Sequence, residues 1–345
     1  MKTSYKDIFK NLKKETDQPT FKKHDRVLII DGLNLFFRNF AMMNTINSAG
    51  NHTGGLGGFL RSLGAMINLI KPTSVYVVFD GAGGSDSRKN LLPEYKSGRH
   101  QTRITNWDAF NNVDDENNAK VDQISRLIHY LRCLPIKVIS ITKVEADDII
   151  AYLSNHITEI EKDSKVFILS SDKDFLQLVN QNITVYSPII KEFYTPKAIE
   201  EKFGVLSSNF ILYKMLSGDA SDKVSGVKGL GAKGILKKFP ELAEQSLTLE
   251  DLFGIAEAKH KDHVVYSRIV FERKALENNY KIMDLSKPLL STDEKELLQA
   301  FTQLETPDLK HSDFIQLYKE DGLGFTIKNV DYWLKEYFSS LRAIK

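Results

Sequence analysis

The chain has 345 residues, 42% of them hydrophobic and 27% charged, and its 47 Lys and Arg against 45 Asp and Glu leave a net charge of only +2. That length buries a sizeable core in one or two domains, and so small a charge excludes total basicity as a sign of nucleic-acid binding, leaving local clusters to decide. The lone Cys133 excludes an intramolecular disulfide, the longest apolar runs fall short of the roughly 20 residues of a membrane span, and the amino terminus lacks the apolar stretch of a secretory signal; a cytoplasmic protein with no membrane partner is expected.

In chain order, residues 1–25 carry seven lysines against four acids and read as a basic extension. From Arg26 the runs "RVLIID", "SVYVVFD", "IKVISIT" and "KVFILSSD" are short, β-branched and apolar on both faces, the pattern of parallel strands. Helical periodicity lies between them, as at Val121, Ile124, Leu127, Ile128 and Leu131 before Pro135, so the fold class is α/β with a mainly parallel central sheet flanked by helices over residues 26–205. Residues 83–120 are polar, charged and too long for a simple connection. Beyond Lys202 the strand signal fades; residues 206–240 hold a glycine-rich turn and residues 241–345 read as helical, with periodicity around Leu297, Phe301 and Leu304 and around Trp333, Leu334, Tyr337 and Phe338.

Acids follow the strand runs. Asp31 ends the first, Asp80 follows the second, "VEADD" with Glu145, Asp147 and Asp148 follows the third, and Asp172 and Asp174 follow the fourth; "SGDASD" adds Asp219 and Asp222. Carboxyl ends of strands face the ligand crevice of an open α/β sheet, so these nine carboxylates are expected to converge. Like charges so crowded require cations, and oxygen ligands without His or Cys favour magnesium or manganese over zinc. Taken singly, each acid also suits a helix N-cap or a turn.

Glycines 229, 231 and 234 match G-x-G-x-x-G, the fingerprint of dinucleotide-binding folds, but they follow the last strand and the helix-like "NFILYKML" rather than the first strand, which disfavours a nicotinamide or flavin site. The stretches "IIDGLNLFFR", "VVFDG", "LPEYKSGR", "VEADDIIAYL", "ILSSDKDFLQLV" and "LSGDASDKVSGVKGLGAKG" occur in the order of the flap endonuclease (structure-specific 5′-nuclease) superfamily. Over roughly residues 26–240 the chain resembles the bacteriophage 5′-nucleases, including the RNase H type, and the 5′-nuclease domain of bacterial DNA polymerase I.

The resemblance implies a PIN-like nuclease core, a helical arch at about residues 83–120 and a helix-hairpin-helix element at 206–240. It implies two divalent ions, magnesium with manganese able to substitute: Asp31, Asp80, Glu145 and Asp147 around the first, Asp172 and Asp174 bridging, and Asp148, Asp219 and Asp222 toward the second. The implied reaction is 5′-3′ exonuclease and flap-endonuclease hydrolysis giving 5′-phosphate and 3′-hydroxyl ends, with removal of RNA primers in replication and repair. Substrates would be DNA with a 5′ flap, fork or free 5′ end, and RNA–DNA hybrid.

Within the arch, Lys96 and Arg99, one helical turn apart, would clamp the scissile phosphate. Arg88 and Arg103 would bind DNA, and Tyr95 would stack on an unpaired base or pack in the core. In the hairpin, amides at Gly229 and Gly231 and the ammonium groups of Lys228, Lys233, Lys237 and Lys238 would grip a duplex backbone without reading bases, with a potassium ion on the turn carbonyls. The resemblance further implies a monomer, a single-strand-binding protein or sliding clamp as partner, and a bacterial or phage-infected host cytoplasm. The rival readings are a metal-dependent PIN-type RNase, which lacks the arch and hairpin, and a catalytically silent DNA-binding protein, which would have lost the acids.

Overall fold

The computed structural model describes residues 23–97, 103–324 and 326–342. The four β-branched runs form β1 (Arg26–Asp31), β2 (Ser74–Val78), β3 (Lys137–Ile139) and β4 (Lys165–Leu169), and they pair in parallel in the order β3-β2-β1-β4. Two further strands extend the sheet past β4: β5 (Ile183–Ser187), parallel, and β6 (Glu192–Tyr194), antiparallel at the edge. Their absence from the sequence reading has a simple cause, since β5 buries alternate residues only and β6 has three residues, so neither shows a continuous apolar run.

Successive side chains of a strand face opposite sides, and here both sides are covered. Val27, Ile29, Tyr76 and Val78 join one core; Leu28, Ile30, Val75 and Val77 join the other. Eight helices frame the sheet and its carboxyl edge: α1 (Gly32–Met42), α2 (Gly54–Ile70), α3 (Asp86–Leu91), α4 (Val113–Leu131), α5 (Ala146–Ile160), α6 (Pro196–Phe203), α7 (Phe210–Ser217) and α8 (Ala232–Lys238). Between α7 and α8 lies a small hairpin of β7 (Gly218–Asp219) and β8 (Val224–Ser225). No described helix is long and apolar enough to cross a membrane.

Among the described residues the expected arch is only partly helical. α3 ends at Leu91, the backbone turns through residues 93–97, and no helix occurs among the described residues from there to α4, which starts at its N-cap Asn112. Lys96 has φ of 53°, the left-handed region, so a continuous helix bearing Lys96 and Arg99 one turn apart is corrected for its first half; Arg99 lies outside the described residues, as does most of the basic extension.

Residues 241–342 divide between the two cores. Leu252, Phe253, Ile269, Leu276 and Leu298 pack with α5, whereas Phe314, Trp333, Leu334 and Phe338 pack on the α1, α2 and α4 side. Trp333 lies so close to Gly64 of α2 that a Cβ there would fall inside the indole. Polar ties add to the seam: the Tyr130 hydroxyl donates to Asp321 at 2.7 Å, and Arg126 pairs with Glu320 and Asp321.

Under the sheet, Lys137 is buried, its ammonium 3.2 Å from the Thr302 carbonyl and 5.3 Å from the Tyr76 ring. Burial, with Lys23 nearby, pushes its pKa down from 10.5 to about 7.

Gly64→Ala should destabilise the fold by about 1–3 kcal/mol through overpacking against Trp333, read as a lower midpoint in denaturant with unchanged slope. Between pH 7 and 10 the folded chain carries fewer protons at Lys137 than the unfolded chain, so stability rises with pH there. Lys137→Met should flatten that rise; parallel melting profiles of the two proteins over this range would refute the assignment.

Candidate active site at the carboxyl edge of the sheet

Five chain segments bring acids to one edge of the sheet. Asp31 closes β1 and caps α1, its Oδ1 accepting from the Asn34 amide at 3.2 Å and its Oδ2 from the Ser170 hydroxyl at 2.9 Å. Asp80, two residues beyond β2, accepts at 2.8 Å from the amide of Ala146, the first residue of α5. That bond joins the β2 end to the start of the helix that supplies Glu145, Asp147 and Asp148. Asp172 caps a short 3-10 helix, accepting from the Asp174 amide at 2.9 Å. Asp219 and Asp222 come from the β7–β8 hairpin, where Asp219 accepts from the Ser221 and Asp222 amides. The capping role and the clustering therefore coexist in Asp31 and Asp172: the cap fixes one oxygen and orients the carboxylate.

The electrostatics record the crowding. Burial, opposed by its two hydrogen bonds and aided by Asp80 and Asp172, pushes Asp31 up to about 7. Asp147 is held well above the carboxylate range by burial and by Asp172, Asp31 and Glu145, and Asp172 is raised by burial and by Asp222 and Asp219. Asp219 moves the other way: burial would raise it, but Lys214 and Ser221 hold it below the usual range.

Three cations balance these acids. Lys214 of α7, which the sequence reading did not single out, is buried with its ammonium against Asp174 and 2.8 Å from Asp219. Lys96 places its ammonium 2.6 Å from Glu145 Oε1, while its backbone amide donates to the Asp222 carbonyl. Lys96 is raised by Asp147, Glu145 and Asp222 despite burial. The third cation is Arg88, with one Nη at 2.5 Å from both Glu145 and Asp148.

Arg88 corrects two expectations. It is 3% exposed, donates also to the Ile282 carbonyl, and has no surface with which to meet a DNA backbone. Its partner Asp148, 2% exposed, takes two Arg88 nitrogens and the Leu289 amide, so its oxygens are committed to holding the fold and not to a metal. Tyr95 resolves to its core alternative: it is 3% exposed with its hydroxyl toward Glu145, and stacking on a base is excluded by that burial.

The remaining acids are hard oxygen donors of the right kind for magnesium or manganese. In the arrangement described, however, no group of three or more His, Cys, Asp or Glu among the described residues is set to hold a metal ion. The ammonium groups of Lys96 and Lys214 stand where positive charge is needed, so the donor set fits a divalent ion in charge and chemistry.

The glycine-rich turn joins the hairpin to α8. Gly229 has φ of 83°, a conformation open to glycine, and the Lys228 carbonyl accepts from Arg268 at 2.7 Å. Lys228, Gly229, Gly231, Lys233 and Lys237 are exposed, while Lys238 lies partly buried with its ammonium 5.7 Å from the Tyr266 ring. This face follows Asp222 by six residues, and the Val227 amide ties it to α7 by donating to the Leu216 carbonyl at 2.9 Å. Arg103 is exposed beyond the undescribed stretch 98–102.

Residues 26–204 match the family model described as "5'-3' exonuclease, N-terminal resolvase-like domain". A 5′-3′ exonuclease of Aquifex aeolicus is 33% identical over 215 residues, covering 61% of this chain and 68% of the relative. DNA polymerase I of Bacillus subtilis is 32% identical over 245 residues, 69% of this chain but only 26% of the polymerase. Among solved structures, the T5 D15 protein co-crystallised with metal ions superposes with a TM-score of 0.60 at 18% identity, covering 88% of this chain and all of the other, which shows a common fold. The match over residues 26–204, more than half of the chain, together with the exonuclease relatives, establishes that the chain belongs to the 5′-3′ exonuclease family.

Proposed function

We propose that this chain is a divalent-metal-dependent, structure-specific 5′-nuclease that hydrolyses phosphodiesters at 5′ ends, flaps and junctions, including those of RNA primers annealed to DNA. The observation that carries the reading is the meeting of carboxylates from the ends of β1, β2 and β4, the start of α5 and the β7–β8 hairpin in a chain of the 5′-3′ exonuclease family. The cluster itself disfavours a silent binding protein, because crowded acids repel the polyanion they would have to bind unless cations intervene.

Asp31, Asp80, Glu145, Asp147, Asp172, Asp174, Asp219 and Asp222 would hold two magnesium ions, with manganese as substitute; Asp148 is left out because Arg88 engages it. When bound, such ions supply an activated water at neutral pH and neutralise charge developing on the phosphoryl oxygens. The protein's own residues orient and release. The Asn34 and Ala146 amides fix one oxygen each of Asp31 and Asp80. Lys96, freed from Glu145, would turn its ammonium to the scissile phosphate, and Arg99 would join it.

The exposed lysines at 228, 233 and 237 with the amides of Gly229 and Gly231, helped by Lys238 and by Arg103 from the arch, would hold the phosphate backbone. A potassium ion at the hairpin turn would compete with Arg268 for the Lys228 carbonyl. Monomeric action in replication and repair, with a single-strand-binding protein or clamp as partner, completes the reading.

The deciding experiment incubates end-labelled 5′-flap, nicked and RNA-primed duplexes with magnesium and with chelator and maps every product end; 5′-phosphate products that vanish with chelator are expected. Asp172→Asn should lower cleavage by at least about 100-fold while duplex binding in chelator persists, and full magnesium-dependent turnover in this variant would remove Asp172 from the site. Lys96→Ala should lower kcat by about 100-fold or more with a smaller change in KM, as for loss of a contact that strengthens in the transition state; an increase in KM alone would make Lys96 a backbone grip.

A further inference from the structure

The chain has two tryptophans with opposite fates. Trp333 is 4% exposed in the core, whereas Trp107 is 81% exposed, although tryptophan is among the side chains that gain most from burial. Its exposure is not the result of a loose segment. Asn106, on one side of it, is buried, donating its side-chain amide to the Phe40 carbonyl at 2.7 Å, and its backbone amide reaches the fully buried Glu116 at 3.2 Å, as does that of Thr105 at 2.6 Å.

On the other side, Asp108 accepts from Asn44 at 3.4 Å, the amides of Ala109 and Phe110 close a turn on the Asn106 carbonyl, and the Phe110 ring stacks on Phe40, centroids 5.9 Å apart. A turn clamped on both flanks to the end of α1 thus holds one indole out in solvent. An aromatic surface fixed in advance loses little entropy when a flat ring lies on it.

The place of the indole indicates which ring. α1 starts at Asp31 in the acid cluster and runs 11 residues to the end that carries Trp107, about 16 Å at ~1.5 Å per residue. A stacked strand rises about 3.4 Å per nucleotide along a duplex axis and an unpaired, extended strand covers more, so the indole stands no more than about five nucleotides from the acids. The same segment begins, at its other end, with Lys96 on Glu145.

We propose that Trp107 is a stacking platform for an unpaired nucleobase of the 5′ single strand, within about five nucleotides of the bond that is cut. It engages a base of any identity, because every base presents a π face. This proposal rests on the nuclease reading for the direction of the strand, but base binding by Trp107 is measurable without cleavage.

With Trp333 buried, the fluorescence that solvent and ligands can reach is that of Trp107. An oligothymidylate of about eight nucleotides, titrated in chelator, should quench it saturably. Trp107→Ala should weaken binding of a duplex with a flap of about eight nucleotides by roughly 5- to 150-fold, from a stacking energy of about 1–3 kcal/mol, with Trp107→Phe restoring most of it. A flap of one nucleotide, or a nicked duplex, should be bound and cut equally by all three proteins.

Absence of quenching, or equal losses for long-flapped and nicked duplexes, overturns the proposal. Quenching and flap-length dependence that persist in a protein cutting no substrate support the platform and overturn the nuclease reading instead.

Discussion

Crowding of like charge at the carboxyl edge of the sheet is the constraint on which the rest depends. Burial first, and then the neighbouring carboxylates, raise the proton affinity of Asp31, Asp147 and Asp172. Such a cluster is tolerable only with positive charge inside it. Arg88, Lys96 and Lys214 supply that charge from three different elements, so the electrostatic requirement itself draws the arch base, the start of α5 and the α7 hairpin to one place. The three differ in kind. Arg88 is locked by a carbonyl and two carboxylates, whereas Lys96 and Lys214 present a single ammonium on a four-carbon stem.

Much of this is legible in the sequence. β-Branched runs buried on both faces identify β1 to β4, because a strand covered by helices on both sides cannot conceal its pattern, and acids directly after such runs must face the crevice. What stayed illegible depended on partners remote in sequence. Arg88 reads as a DNA contact and Asp148 as a metal ligand until Ile282 and Leu289 arrive from more than a hundred residues away to engage them. Tyr95 carried two readings that only burial decides. Lys214 sits in an apolar helix with no neighbouring signal, and its importance follows only from where the hairpin acids fall.

The carboxy-terminal residues show the same limit in packing. Periodicity around Trp333 announced a buried face, and the buried partner turned out to be a glycine, Gly64, whose missing side chain leaves no apolar mark in the α2 pattern. Steric absence is as much a part of the second core as Phe314 or Phe338, and a pattern of hydrophobicity cannot display it.

The lock on Arg88 bears on where this protein can be divided. The family domain ends at residue 204, yet the carbonyl that fixes Arg88 belongs to Ile282, the amide that completes Asp148 belongs to Leu289, and Gln177 is bracketed by Met283 and Leu285. A chain cut at that boundary would retain the sheet and most of the acids but leave a guanidinium and its carboxylates short of partners in the interior. Heredity and mechanics thus draw different borders through one molecule: the inherited module is a stretch of sequence, while the smallest working machine is a loop closed by the chain's return.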